Sequence, residues 1–139
     1  MVKIALISCV KTKSSDKVPA QDLYTSPLFK KSRTWAEINC DKWFVLSAKY
    51  GLVSPNTPLK PYGETLRSAR KNLKEAWAKK VYTQMKAKGI LRKEVQFWWL
   101  AGRDYKEPLS NLLSGFSQYD PMEGLKIGNR LKWLTNQIP

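Results

Sequence analysis

Side chains suited to chemistry follow three apolar stretches of this sequence, ending near Ser8, Ser47 and Ala101. Hydroxyl, lysine, arginine and tyrosine side chains follow each stretch, and lysines and hydroxyls at a strand end suit an anion such as a phosphate. The residues concerned are Ser8, Lys11 and Lys13 in the first segment, Ser47, Lys49, Tyr50 and Gly51 in the second, and Arg103, Asp104 and Tyr105 in the third. The sequence therefore predicts that three polar strand ends converge on one site.

Two further segments add candidates to this site. Pro55 and Pro58 rule out a helix after the second apolar stretch, so we expect a long loop that carries Lys60 and Tyr62. Asp22 and Tyr24 precede a helix with Ser26 as its N-cap and Pro27 at its first position. The alternatives are that these loops are solvated basic segments, that Asp22 caps a turn and that Asp104 caps the helix after it.

The sequence contains no histidine and two cysteines. It therefore has no His-based catalytic triad, no His general base and no zinc site of mixed Cys and His type. Proton transfer in an enzyme of this composition falls to Asp, Glu, Lys, Tyr, Cys or water. We expect no metal and no cofactor.

Length and charge favour one domain that meets a polyanion. The 139 residues suit a single domain over residues 1–139, and the formal net charge is +14. Nucleic acid is the expected partner, with DNA favoured over RNA. A membrane is not expected, because no apolar run approaches the roughly 20 residues that span one and no signal peptide opens the chain. We therefore expect a cytoplasmic protein with reduced cysteines.

The periodicity predicts an α/β fold with a short, parallel sheet of three to four strands flanked by helices. The expected strands are residues 2–8, 43–48 and 94–102, with only loop between Ser47 and Leu66. Four helices are expected, over residues 27–39, 66–88 and 105–113 and from Pro121 onward. In the first helix, the residues expected to face inward are Leu28, Phe29, Trp35 and Ile38. In the second helix, they are Leu66, Leu73, Trp77, Val81 and Met85. The outer face of the helix over 66–88 carries a basic ridge of Arg67, Arg70, Lys71, Lys74, Lys79, Lys80, Lys86 and Lys88.

Five motifs span nearly the whole chain: ISCVKTK, DLYTSPLF, LSAKYGLVSP followed by KPYGETL, FWWLAGRDYKEPL and GLKIGNRLKWL. Together they resemble the YaaA-like superfamily of small nucleic-acid-associated proteins. YaaA proteins are associated with DNA binding and peroxide stress, and they resemble in part the K-P-Y-bearing domain of archaeosine synthases, which belong with transglycosylase-like base chemistry. This chain is shorter than YaaA and has no room for its helix-hairpin-helix insertion.

The resemblance implies a pocket that handles a nucleobase, and the basic surface would hold the strand that carries it. We expect a DNA-acting enzyme that cleaves an N-glycosidic bond, most specifically a glycosylase that excises a modified or damaged base in DNA repair or defence against phage. A flipped base would stack on Tyr50, Tyr62 or Tyr105. The alternatives are a DNA-binding stress-response protein without catalysis and a transferase that modifies a base in RNA or a free nucleotide.

Cleavage of that bond requires a carboxylate to stabilise an oxocarbenium-like sugar or to activate water. Asp22, Glu64 and Asp104 are the acidic residues nearest the predicted strand ends. We expect Asp104 or Asp22 to be the carboxylate, with Lys49, Lys11 and Lys13 as cationic partners. Attack by a lysine through a Schiff base at the sugar is the alternative route.

Overall fold

The computed structural model describes residues 1–8 and 16–138 as a single α/β unit. Its main sheet has five strands in the order β4-β3-β1-β6-β7. These are β1 (Val2–Ser8), β3 (Lys42–Ser47), β4 (Gly51–Val53), β6 (Val95–Leu100) and β7 (Ser117–Tyr119), and β4 alone of the five pairs antiparallel. A second, two-stranded sheet pairs β2 (Val18–Pro19) with β5 (Pro58–Leu59). The predicted fold class is confirmed, with more strands than the three or four expected.

The strand register brings the carboxyl ends of the central strands to one edge of the sheet. Ser8 of β1 pairs with Leu46 of β3, and Ile7 of β1 pairs with Leu100 of β6. Ile4 to Ile7 are all buried, as expected for a parallel strand with both faces covered by helices. The three polar strand ends predicted from the sequence therefore lie at the same edge.

Four of the five described helices form two packed pairs. The five are α1 (Ala20–Leu23), α2 (Pro27–Asn39), α3 (Lys71–Ala87), α4 (Arg103–Leu112) and α5 (Ile127–Gln137). α2 packs against α5, whereas α3 packs against α4 and β4. The predicted start of α2 is confirmed: the Ser26 hydroxyl accepts a hydrogen bond from the Phe29 N–H at 3.2 Å, and Pro27 is the first helical residue.

Two residues expected to face inward are exposed. Ile38 of α2 is 56% exposed and Leu73 of α3 is 57% exposed, so the prediction was wrong for both. Helix boundaries also differ from the prediction. The left-handed Ser68 (φ 61°) precedes α3, which begins at Lys71 and not at Leu66, while α4 begins at Arg103 and α5 at Ile127.

The sequence predicted only loop after Ser47, and this prediction was wrong because the segment contains strand β4. The chain reverses through Ala48 to Tyr50 and returns as β4, with Gly51 at φ +78°. The Gln84 side chain holds this turn from α3, because its Nε2 donates to the Tyr50 carbonyl at 3.0 Å and its Oε1 accepts from the Leu52 N–H at 2.8 Å. Gly51 therefore has a structural reason to be glycine.

Candidate functional site

A cleft of about 1130 Å³ opens at the carboxyl edge of the sheet. The ends of the neighbouring strands β1 and β6 line it through Ile7, Ser8 and Leu100. From β1 the chain continues to β3 on one side, whereas from β6 it continues to β7 on the other. This is the topological switch point of the sheet, where open α/β folds bind their ligands. The cleft volume is slightly above the range for small-molecule sites, roughly 300–1,000 Å³.

One wall of the cleft is charged and contains Asp104. Its Oδ1 lies 2.6 Å from the Nζ of Lys74, and the two side chains are 32% and 23% exposed. Asp104 lies in the first turn of α4, whose N-cap is Gly102, so the alternative reading of Asp104 as the cap is wrong. Arg103 lines the cleft beside it, on the exposed rim, and pairs loosely with Glu107 at 3.7 Å.

Most of the apolar lining comes from α2, α5 and the segment between β7 and α5. The lining residues here are Leu28, Phe29, Met122, Leu125, Ile127 and Leu131. Phe29 and Met122 are fully buried, whereas Ile127 is 72% exposed at the mouth. A ligand that fills the cleft would contact both charged groups and apolar side chains.

Buried hydroxyls connect the end of β3 with the floor of the cleft. The Ser47 hydroxyl donates to the Tyr62 hydroxyl at 2.8 Å, and the Tyr24 and Tyr62 hydroxyls share a hydrogen bond of 2.5 Å. Ser47 in turn accepts from the Tyr50 N–H at 3.0 Å. Tyr62 lines the cleft, and the ring of Tyr50 packs edge-on against it with centroids 5.6 Å apart. The network brings together four residues that the sequence had selected.

The junction of β6 with α4 holds two more of the predicted residues. The Gly102 N–H donates to the Ser8 hydroxyl at 3.1 Å, which ties the end of β1 to the start of α4. Tyr105 is buried in the cleft wall, where its hydroxyl accepts from the Leu66 N–H at 3.3 Å and its ring meets Trp77 edge-on. Ser8 and Tyr105 therefore shape the cleft from the sheet side.

Several predicted residues among those that the structure describes do not line the cleft. Asp22 lies on the surface and pairs with Arg33 at 3.3 Å. Lys49 lies outside the lining, although its Nζ is 3.9 Å from Glu64, which does line it. Lys60 is exposed after β5. Gly51 belongs to the turn held by Gln84, and Lys11 and Lys13 lie outside the described residues.

Cys40 does not line the cleft, and the described residues form no metal site. Cys40 follows α2, and burial raises the pKa of its thiol to about 11, so the thiol is protonated at neutral pH. Among residues 1–8 and 16–138, no group of three His, Cys, Asp or Glu side chains is placed to hold a metal. No helix of this described part is both long and apolar enough to cross a bilayer.

The elements that form the cleft all lie within one family match. The model of DUF6884, described as a family of unknown function, matches residues 4–136. The chain belongs to the DUF6884 family. The match extends from β1 to α5 and so includes both walls of the cleft. The search of curated proteins found no match.

Two basic residues of the DUF6884 cleft, Lys126 and Arg130, were not selected from the sequence, which placed Arg67 only on the basic ridge. Arg67, Lys126 and Arg130 line it, and so does Glu64. With Arg103 and Asp104, the described lining holds four basic and two acidic side chains. The terminal motif GLKIGNRLKWL contains Lys126 and Arg130 and could have indicated them. The sequence alone, however, does not place this motif near the strand ends.

Proposed function

We propose that this protein is a DNA-acting enzyme that cleaves an N-glycosidic bond, and more narrowly a glycosylase that excises a modified or damaged base. The observation that carries the proposal is the position of Asp104, a carboxylate in the wall of a large cleft at the switch point of the sheet. The excess of basic over acidic side chains in the lining favours a ligand with phosphate groups. The resemblance to YaaA-like proteins supports the same reading.

The chemistry assigns a role to each wall. A nucleotide flipped out of the duplex would place its base against the apolar side and its sugar near Asp104. As the bond between C1′ and the base breaks, the electron pair leaves with the base and positive charge develops on the sugar. The Asp104 carboxylate would stabilise that charge or take a proton from the attacking water. The basic side chains would hold the flanking phosphates.

Base release is the experiment that tests this proposal. The purified protein is incubated with DNAs that carry natural, damaged and hypermodified bases. Released bases are read by mass spectrometry, and abasic sites by alkaline cleavage of the strand. We expect release from at least one class of modified base. Tight binding to the same DNAs without any release would contradict a glycosylase.

The Lys74–Asp104 contact favours a second candidate. A short ion pair that is already satisfied also suits a structural link between α3 and α4 in a nucleic-acid-binding protein without catalysis. Binding to DNA is the same in both cases, so product formation alone separates them.

The course of the basic ridge favours a third candidate. Lys74 lies at the cleft, but Lys80 contacts the Lys49 carbonyl and Lys88 lies over the Phe44 ring, so the ridge runs away from the cleft. A transferase that modifies a base in RNA or a free nucleotide would not need the whole ridge. Binding to single-stranded DNA, duplex DNA and tRNA across a salt series separates this candidate from the first. In each case we place the protein in the cytoplasm, with the nucleic acid.

A further inference from the structure

The guanidinium of Arg130 is fixed in the wall of the cleft by two backbone carbonyls. Its Nε donates to the Leu125 carbonyl at 2.8 Å, and its NH1 donates to the Ala101 carbonyl at 3.1 Å. Ala101 follows β6, and Leu125 precedes α5. The side chain therefore joins the end of the central sheet to the start of the last helix, which fixes the orientation of its planar donor group.

The charge of Arg130 is not neutralised within the described part of the chain. Arg33, Arg92 and Arg103 each lie within 4.0 Å of an acidic side chain, whereas no carboxylate of residues 1–8 and 16–138 is that close to Arg130. A guanidinium has five N–H donors, and the carbonyls use two of them. Arg130 is also half-buried, where a cation without a counter-ion is unfavourable. The cleft thus presents an oriented cation that lacks an anion.

The cleft that Arg130 lines has room for an anion. Gly102 and Gly128 line the same cleft, and a Cβ atom built on either would meet no other atom within 4 Å. Arg67 and Lys126 also line it and form no ion pair with the described residues. A guanidinium binds a phosphate or a carboxylate through two parallel N–H bonds, and the excess of basic side chains in the lining favours the more highly charged phosphate.

We propose that Arg130 binds a phosphate of the substrate nucleotide and so fixes the position of the sugar relative to Asp104. The inference rests on the proposed function for the claim that the ligand is a nucleotide. Arg130 is then the residue that distinguishes a nucleotide from the free nucleoside. This role differs from that of Arg103, which is exposed on the rim and already has Glu107 as a partner.

The test compares the four 2′-deoxynucleoside 5′-monophosphates, the four deoxynucleosides and inorganic phosphate as probes. Binding is followed by NMR through the Nε–H of Arg130 in the unmodified protein, at constant ionic strength. We expect saturable shifts with phosphate and at least one monophosphate. If neither phosphate nor any of the monophosphates gives a saturable shift, the proposal is wrong.

Variants separate recognition from a structural role. Arg130→Gln should weaken binding of the monophosphate by about 10- to 100-fold and leave the nucleoside unchanged. Arg130→Lys keeps the positive charge but lacks the planar guanidinium donors, so it should cause an intermediate loss of affinity for the monophosphate. The matched control Arg92→Gln removes an arginine that lies outside the cleft and pairs with Glu94, so it should change either affinity by less than about threefold. Equal losses for nucleoside and monophosphate in both Arg130 variants would overturn the proposal.

Failure of this inference can be told apart from failure of the proposed function. The protein could bind the monophosphate selectively through Arg130 and yet release no base from any DNA. This result would support the phosphate site and contradict the proposed glycosylase activity. Base release that is unchanged in Arg130→Gln and Arg130→Lys, without selectivity for phosphate, would overturn the phosphate site alone.

Discussion

The ammonium group of Lys74 lies 2.6 Å from the carboxylate of Asp104 and joins α3 to α4 at the charged wall of the cleft. The two residues are 30 positions apart in the sequence. Lys74 belongs to α3 and Asp104 to α4, so the ion pair holds the Asp104 carboxylate against the neighbouring helix. If Asp104 acts on the sugar of a flipped nucleotide, Lys74 is the residue that positions it.

Lys74→Met should therefore slow base release without preventing DNA binding. Removal of the ammonium leaves the carboxylate free to move from its working position, so we expect kcat to fall by about 10- to 100-fold with a small change in KM. The measurement is single-turnover release of the base. Lys71→Met is the matched control on the same helix, since the Lys71 side chain is 92% exposed. Equal effects of the two substitutions would contradict a positioning role for Lys74.

Gly51→Ala should destabilise the protein more than Gly89→Ala. Both glycines have positive φ, +78° and +69°, so alanine is strained at either position by roughly 1 kcal/mol. At Gly51, however, a Cβ would also lie 2.2 Å from the Gln84 Oε1, whereas at Gly89 it would meet open space. The Gln84 amide would have to move and give up its two hydrogen bonds to the turn, so we expect a loss of about 3 kcal/mol in the free energy of unfolding for Gly51→Ala. Urea denaturation measures the free energy of unfolding of both variants. Equal losses in the two variants would mean that the Gln84 side chain does not constrain the turn.

Tyr62→Phe should destabilise the cleft floor. The substitution removes the hydroxyl that meets both Ser47 and Tyr24 in the interior, and a buried polar group that loses its partner destabilises by about 1–3 kcal/mol. Tyr119→Phe is the control, because Tyr119 is 42% exposed and stacks on Trp98 through its ring. Urea midpoints compare the two variants. A Tyr62→Phe protein as stable as the Tyr119→Phe protein would show that the hydroxyl network contributes little.

The salt dependence of DNA binding should map which basic residues contact phosphates. Arg67 lines the cleft, so Arg67→Gln should reduce the slope of log K against log salt by about 0.9. Lys86, near the end of α3, is on the part of the ridge remote from the cleft, so Lys86→Gln should leave the slope unchanged. Fluorescence anisotropy from low to moderate salt gives both slopes. A reduction for Lys86→Gln but none for Arg67→Gln would place the DNA on the ridge instead.

The central elements of the fold could be predicted because their signals are local. Strands covered on both faces are continuous apolar runs, which identified β1, β3 and β6, and Ser26 followed by Pro27 marked the start of α2. β2, β5 and β7 have two or three residues each, too few to show a periodicity. Their pairing depends on neighbours distant in the sequence. β4 was missed because proline and glycine after Ser47 suggested only loop.

The site could be predicted only in part for a related reason. The register of parallel strands placed Ser8, Ser47 and the start of α4 at one edge, as expected. The sequence could not show which of Asp104 and Asp22 lies in the cleft, because Asp104 is placed there by the packing of α4 against α3. Arg130 reaches the cleft because α5 packs on α2, a contact that no local pattern encodes.

The most direct test of the proposed function compares base release by Asp104→Asn and Asp22→Asn. Asparagine preserves the shape of each side chain and removes its charge, and Asp22 is on the surface beside Arg33. We measure release by mass spectrometry from the DNA that the unmodified protein processes best. We predict that Asp104→Asn lowers the rate at least about 100-fold, with DNA affinity retained, and that Asp22→Asn keeps the full rate. Release by Asp104→Asn at the rate of the unmodified protein would contradict Asp104 as the catalytic carboxylate.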